Sequence, residues 1–99
     1  MASRRTRLPD AATHLPGEGV RSAMAAHLEA ALGVGEPAAV AAALGDLARA
    51  HGMTRVARAA GLGRESLYKA LSPVGNPEFG TVLKVVAALG LELRARVKT

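Results

Sequence analysis

The sequence predicts an all-α, compact domain of five helices, followed by one short C-terminal β-strand. Alanine, leucine and valine supply most of the apolar residues, and the 99-residue chain has one tyrosine, one phenylalanine and no tryptophan. This composition favours packed helices over a sandwich or barrel, which usually needs more aromatic and β-branched residues. Apolar residues also recur at intervals of three and four, the spacing of a buried helix face. A chain of this length has room for one core.

The first two helices are predicted from apolar stripes bounded by glycine and proline. The first helix starts at Glu18 and ends at Gly33 and Gly35. Its expected buried stripe is Val20, Met24, Leu28, Ala31 and Leu32. The second starts at Glu36 and Pro37, which both suit a first helical turn, and stops at Gly52. Its stripe is Val40, Leu44, Leu47 and Ala48. Gly45 lowers helix propensity inside it, which indicates close packing there.

Residues 53–72 predict two short helices joined by a tight turn. Thr54 suits an N-cap, residues 55–60 follow as a short helix, and residues 64–71 resume the helical pattern. A helix-turn-helix needs a small residue where the helices cross, supplied by Ala57, and a turn residue that tolerates positive φ, supplied by Gly61. The apolar residues expected to bind the pair together are Val56, Ala60, Leu62, Leu67 and Leu71.

The outward face of the second short helix carries groups that can read bases. It presents Arg64, Glu65, Tyr68 and Lys69, with Ser66 at its edge. These side chains can donate, accept and stack, as a helix in the major groove must. Two alternatives remain at single positions, since Tyr68 could cover the helix seam and Glu65 could complement the positive end of its helix. A generic helical hairpin with a solvated polar face is the alternative for the whole motif.

Charge and helix ends add a second indication of nucleic-acid binding. Residues 1–49 carry five basic and five acidic side chains, whereas residues 50–99 carry eight basic and three acidic ones. The net charge of +5 therefore lies entirely in the second half, where it attracts polyanions or serves as ordinary surface charge. Thr54, Arg55 and Asn76 are expected at helix N-termini, facing phosphates.

The end of the chain predicts a fifth helix and then a strand. Asn76, Pro77 and Glu78 follow the order of cap, proline and acid that begins a helix. The residues this helix is expected to bury, before Gly90 ends it, are Phe79, Val82, Leu83, Val86 and Leu89. Residues 91–97 alternate apolar with charged, as a half-buried strand does. No second strand is predicted, so we expect pairing with another copy through a dimer interface of Leu91, Leu93 and Val97.

The domain organisation follows from these elements. Residues 1–17 begin with Arg4, Arg5 and Arg7 and show no sustained period, so they predict a flexible basic arm. This arm could touch phosphates or act as a solubilising tail. Residues 18–99 form the predicted DNA-binding domain with its C-terminal strand.

Several functional classes are disfavoured by the composition. Cysteine is absent, no apolar run approaches the roughly 20 residues of a membrane span, and no signal-peptide core is visible. We therefore expect a cytoplasmic location. His14, His27 and His51 fall on different elements, so we expect no metal site, and no nucleotide-binding loop is visible. Without a catalytic constellation, we expect neither enzyme activity nor a cofactor.

Residues 36–93 resemble the Xre/Cro-like antitoxins of HigBA-type toxin–antitoxin modules, also called probable addiction-module antidote proteins. The most specific string is RESLYKALSPVGNPEFGTVLKV, and a fainter similarity extends back through MAAHLEAALG. Gly63 departs from the family, whose members usually have a serine that caps the recognition helix. Glycine is nearly adequate as an N-cap, so the departure puts one DNA contact in doubt rather than the fold.

This resemblance implies a lambda-repressor-like helix-turn-helix fold and two activities. The protein would neutralise a small RelE-like ribonuclease toxin, and as a homodimer it would bind a palindromic operator in double-stranded DNA and repress its own operon. Repression agrees with the residues themselves, whereas the toxin rests on the resemblance alone. The alternatives are a stand-alone or phage-type regulator without a toxin, and a pure protein-interaction module.

Overall fold

The computed structural model describes residues 17–99, which form five helices and, within that range, no strand. The helices are α1 (Glu18–Val34), α2 (Pro37–His51), α3 (Met53–Ala60), α4 (Arg64–Ala70) and α5 (Phe79–Ala88). The all-helical class and the five helices are confirmed. The arm predicted for residues 1–17 lies outside the described residues, apart from Gly17. None of the helices in residues 17–99 is both long and apolar enough to cross a membrane.

The ends of the first two helices follow the chemistry of glycine and proline. Gly35 ends α1 with φ 79°, a left-handed conformation that glycine adopts without a steric penalty. Glu36 is the N-cap of α2 and Pro37 occupies its first turn, where the missing N–H of proline costs nothing. The boundary predicted at Glu36 and Pro37 is confirmed.

The helix α3 lies at the centre of the fold. It packs against α2, α4 and α5, while α1 packs against α2. The core therefore draws side chains from every helix. Its largest fully buried members are Leu44, Val56, Leu67, Val85 and Leu89. No charged or polar side chain is buried among the described residues, so apolar packing holds the helices together.

Close packing at Gly45 is confirmed. A Cβ atom built at this position would lie 3.0 Å from the carbonyl oxygen of Leu71, the residue that follows α4. The absence of a side chain on α2 thus lets the end of α4 approach the α2 backbone. This contact helps to fix α4 relative to the core.

The predicted buried stripes are partly wrong. The stripe of α1 is correct at Met24, Leu28 and Ala31, but Val20 and Leu32 are exposed. On α5, Val86 and Leu89 are buried, whereas Phe79 is 68% and Leu83 45% exposed. The predicted stripe of α5 also omits Val85, which is fully buried. Apolar residues occupy several sides of α5, so their period alone does not select the inner face.

The predicted start of α5 at Asn76 is wrong. Glu78, with an extended backbone at φ −65° and ψ 153°, is the N-cap, and its carbonyl oxygen accepts the first helical hydrogen bond from the Val82 N–H at 3.0 Å. Asn76 lies in the loop that precedes it. Proline disfavours helical geometry in the residue before it, which agrees with a non-helical Asn76. Asn76 is therefore not at a helix N-terminus.

The C-terminal strand is also a wrong prediction, because residues 91–99 form no regular element. A strand is defined by hydrogen bonds to a neighbouring strand, and the described residues supply none. Instead, the Leu91 N–H donates to the Val86 carbonyl at 3.0 Å, and Leu91 and Leu93 pack, half-buried, against the core. Val97 remains 92% exposed. The alternation of apolar and charged residues therefore turns Leu91 and Leu93 towards the core, although the segment pairs with no strand.

Candidate nucleic-acid interface

The connection between α3 and α4 is three residues long and is shaped by glycine. Gly61 has φ 70°, so the positive φ predicted for the turn is confirmed. The Leu62 N–H donates to the Ala57 carbonyl at 2.8 Å, which closes the end of α3. Gly63 then serves as the N-cap of α4 in an extended conformation, without a side-chain hydrogen bond. The chain therefore turns sharply between two short helices.

The residues predicted to bind these two helices together are at or near the core. Val56 and Leu67 are fully buried, Ala57, Ala60 and Leu71 are buried, and Leu62 packs against the core from the turn. Within α4 itself, Leu67 is the buried residue. A single inward side chain, supported by Leu71 after the helix, thus positions the entire outer face of α4.

The outer face of α4 carries the predicted base-contacting residues. All five are exposed: Arg64, Glu65, Ser66, Tyr68 and Lys69. They divide between two surface hollows. Arg64 lines the first, Glu65, Ser66 and Lys69 line the second together with Ser72, and Tyr68 contributes to both. We call this exposed polar face of α4 the polar ridge.

The first hollow is rich in arginine. Its wall includes four guanidinium groups, from Arg49 at the end of α2, Arg55 and Arg58 on α3, and Arg64 on α4. Thr54 and Tyr68 complete the polar part of this surface, which we call the arginine cleft. Four positive charges around one concave surface create a field that favours an anion with several charges.

The ion pairs at the surface leave most of this charge uncompensated. Arg49 Nη2 contacts Asp46 Oδ1 at 3.0 Å, and the same carboxylate receives His27 Nε2 at 3.4 Å. Within residues 17–99, Arg55, Arg58 and Arg64 form no ion pair. Exposed pairs such as Arg49–Asp46 contribute about 1 kcal/mol or less, so Arg49 is also able to exchange its partner for another anion.

Arg64 is held against Tyr68, one turn further along α4. Its Cζ lies 5.4 Å from the centre of the tyrosine ring, and its Nη2 donates to the Tyr68 hydroxyl at 3.5 Å. The ring face attracts the guanidinium and restricts its rotamers. Tyr68 is 42% exposed, so it does not simply cover the helix seam.

Thr54 and Arg55 lie at the helix N-terminus, although the predicted cap is wrong by two residues. Gly52 is the N-cap, because its carbonyl accepts the Val56 N–H at 2.9 Å, and Thr54 is the second residue of α3. The first N–H groups of a helix have no internal partner and favour anions, so both residues keep a location suited to phosphate. Asn76 lines neither hollow.

Arg49 and Arg58 line the cleft, although neither was predicted as a site residue. Arg58 follows Arg55 at a spacing of three, which places both on one side of α3, and this signal was available in the sequence. Arg49 reaches the cleft only because α2 and α3 meet at Gly52. Whether Arg49 lines the cleft depends on the angle between α2 and α3, which cannot be derived from the sequence.

The sequence matches the model of a known protein family. The family model described as "Probable addiction module antidote protein" matches residues 9–97. The chain belongs to this family. The arginine cleft and the polar ridge of α4 are thus features of an antitoxin-family chain.

A relative of this antitoxin-family chain is an uncharacterized protein of Haemophilus influenzae (strain ATCC 51907 / DSM 11121 / KW20 / Rd). The two are 54% identical over 57 residues, which cover 58% of this chain and 59% of the relative. No solved structure matches the chain. The aligned region thus spans little more than half of each protein.

Proposed function

We propose that this chain is a DNA-binding antitoxin that neutralises a small RelE-like ribonuclease toxin and represses its own operon in the cytoplasm. The observation that supports DNA binding most strongly is the arginine cleft beside the polar ridge of α4. Two binding surfaces for one polyanion, one suited to phosphates and one to base edges, are what duplex recognition requires. The toxin half is supported by the family to which the chain belongs.

In this proposal α3 and α4 act as a helix-turn-helix within residues 18–99. The helix α4 enters the major groove, where Arg64, Glu65, Tyr68 and Lys69 meet base edges, with Ser66 at the side. The helix α3 lies across the backbone, so that Arg55, Arg58 and the N-terminus of α3 near Thr54 contact phosphates. Arg49 extends the same phosphate surface from α2. The protein thereby acts by binding, without catalysis, cofactor or metal.

The decisive experiment measures binding of the full chain to duplex DNA from its own upstream region as salt concentration rises. Each phosphate contact contributes a log–log slope of about −0.9. If Arg49, Arg55 and Arg58 each contact one phosphate, the slope per protomer is expected to be about −3. An unrelated duplex of equal length is the control for sequence preference. Binding that is unchanged between about 50 and 200 mM salt would contradict the electrostatic basis of the proposal.

We also propose that the chain acts as a homodimer through its C-terminal segment. A two-fold axis would place two recognition helices about 34–36 Å apart, as a palindromic operator requires. Leu91, Leu93 and Val97 remain the proposed interface, and the exposure of Val97 leaves an apolar side chain available for such a contact.

Sedimentation at micromolar concentration tests this interface. The full chain is expected to be a dimer, and Val97→Glu is expected to shift it towards monomer, because a charge at an apolar contact must be desolvated. Val74→Glu is the matched control, since Val74 is 94% exposed and lies in the loop after α4. A full-length chain that sediments as a monomer would refute the dimer. Equal effects of both variants would refute the assigned surface.

A further inference from the structure

Arg64 differs from the other arginines of the cleft in how its guanidinium is held. Among the described residues, it is the arginine whose guanidinium lies over an aromatic ring, 5.4 Å from the centre of Tyr68. Its Nη2 also donates to the Tyr68 hydroxyl at 3.5 Å. Arg49 is instead tied to a carboxylate, that of Asp46. The guanidinium groups of Arg64 and Arg49 are therefore held by different chemical groups, an aromatic ring and a carboxylate.

The location of Arg64 agrees with this difference. It is the first residue of α4, immediately after Gly63, and it lies where the arginine cleft meets the polar ridge. Arg55 and Arg58 lie on α3, which the proposed function places on the DNA backbone. Arg64 therefore lies at the boundary between the phosphate-contacting surface and the base-contacting surface.

We propose that Arg64 reads a guanine in the major groove and that Tyr68 is the positioning residue that holds its guanidinium for this contact. This inference rests on the proposed DNA binding and adds the base that α4 selects. The planar fork of arginine donates two parallel hydrogen bonds, which match O6 and N7 of guanine. Adenine presents an amino donor in place of O6, so it opposes one of the two donors.

Tyr68 contributes by reducing the freedom of Arg64 before DNA binds. An arginine side chain loses rotamer entropy when it is fixed on a base, and a guanidinium already restrained over a ring loses less. The ring face provides most of this restraint, because the hydroxyl contact is at the long limit of a hydrogen bond. Phenylalanine at position 68 should therefore preserve the effect, and leucine should not.

The first experiment identifies the base. Duplexes preferred by the full wild-type chain are selected from a randomised pool, and each guanine is then replaced singly by 7-deazaguanine or by inosine. Fluorescence anisotropy at fixed salt measures the affinity. We expect one guanine at which 7-deazaguanine, which lacks N7, weakens binding on the order of tenfold. Inosine keeps O6 and N7 and is expected to change affinity there by about twofold or less.

The second experiment assigns the contact to residues. Arg64→Lys keeps the charge but loses the fork, so it is expected to remove most of the preference for guanine over adenine at that position. Arg58→Lys is the matched control and should retain that preference. Tyr68→Leu is expected to reduce the preference several-fold, and Tyr68→Phe to retain most of it. Thermal unfolding of each variant verifies that the fold is intact.

The possible results separate this inference from the proposed function. A wild-type chain that binds no duplex refutes DNA binding and the inference with it. Duplex binding in which Arg64→Lys and Arg58→Lys weaken all sequences alike leaves DNA binding intact but makes Arg64 a phosphate contact, which overturns the inference. A selected site whose guanines all tolerate 7-deazaguanine overturns it as well. Equal preference in Tyr68→Leu and the wild type overturns the role of Tyr68.

Discussion

Replacement of Leu67 by alanine is expected to lower the free energy of unfolding by about 2–5 kcal/mol. Leu67 is fully buried and is the buried side chain of α4, so its loss leaves a cavity that the seven-residue helix cannot fill without moving. Small domains are stable by only about 5–15 kcal/mol, and each kcal/mol corresponds to roughly 4–8 °C in melting temperature. We therefore expect a fall in Tm of about 8–40 °C.

Leu83→Ala provides the matched control for this measurement. The same atoms are removed from a helix, but Leu83 is 45% exposed, so less buried contact is lost than at the fully buried Leu67. We expect its effect on the free energy of unfolding to be about 1 kcal/mol or less. A Leu67→Ala protein that melts like the wild type would show that α4 is not anchored by Leu67. The outer face of α4 would then lack the support that the proposed interface needs.

The sequence was most informative where a single residue type determines the local backbone. Gly61 in the turn and Pro37 at the start of α2 were both identified correctly, because few residues tolerate a positive φ and few positions tolerate proline. The buried residues around α3 and α4 were also predictable, since Val56, Leu67 and Leu71 are spaced for one seam. The local chemistry of these residues was therefore sufficient to predict the turn between α3 and α4 and the buried residues around it.

The predictions failed where the outcome depends on how elements meet in space. On α5, the apolar side chains extend around the helix, so the exposed Phe79 and the buried Val85 could not be separated by period. The conformation of the loop before α5 also depends on how backbone segments meet in space. A Cβ atom at Gly75 would lie 2.6 Å from the Lys69 carbonyl oxygen, a contact between backbone segments that no sequence pattern indicates. Gly45 interrupts a helical pattern and so indicated its close approach, whereas Gly75 lies in a loop, where a glycine gives no such indication.

The residues of the candidate site also include some that could be predicted from the sequence and some that could not. Arg64 and Tyr68 were identified from the outward face of a short helix and Arg55 from its place near a helix N-terminus, and the structure brings all three to one cleft. Asn76 was assigned by its resemblance to an N-cap, and it failed because α5 begins at Phe79. Arg49 enters the cleft from a different helix. A site built from three helices is predictable residue by residue only within each helix.

The double substitution Arg55→Glu/Arg58→Glu is expected to weaken duplex binding on the order of 100-fold near 0.1 M salt. Each phosphate contact has a log–log slope of about −0.9, which corresponds to about eightfold in affinity at this concentration, and the new carboxylates add repulsion. The slope itself should become smaller by about two. Both residues are exposed, and neither forms an ion pair within residues 17–99, so the fold should persist.

Lys84→Glu/Lys98→Glu is the control that makes this result specific. It changes the net charge by the same amount, but Lys84 on α5 and Lys98 near the C-terminus do not line the arginine cleft. If binding depends on where the charges lie, the control retains most of its affinity and its salt slope. If both double variants lose affinity equally, the chain attracts DNA only through its overall charge, and the arginine cleft has no separate role. Anisotropy titrations at three or more salt concentrations distinguish these results, because a location-specific contact changes the slope as well as the affinity.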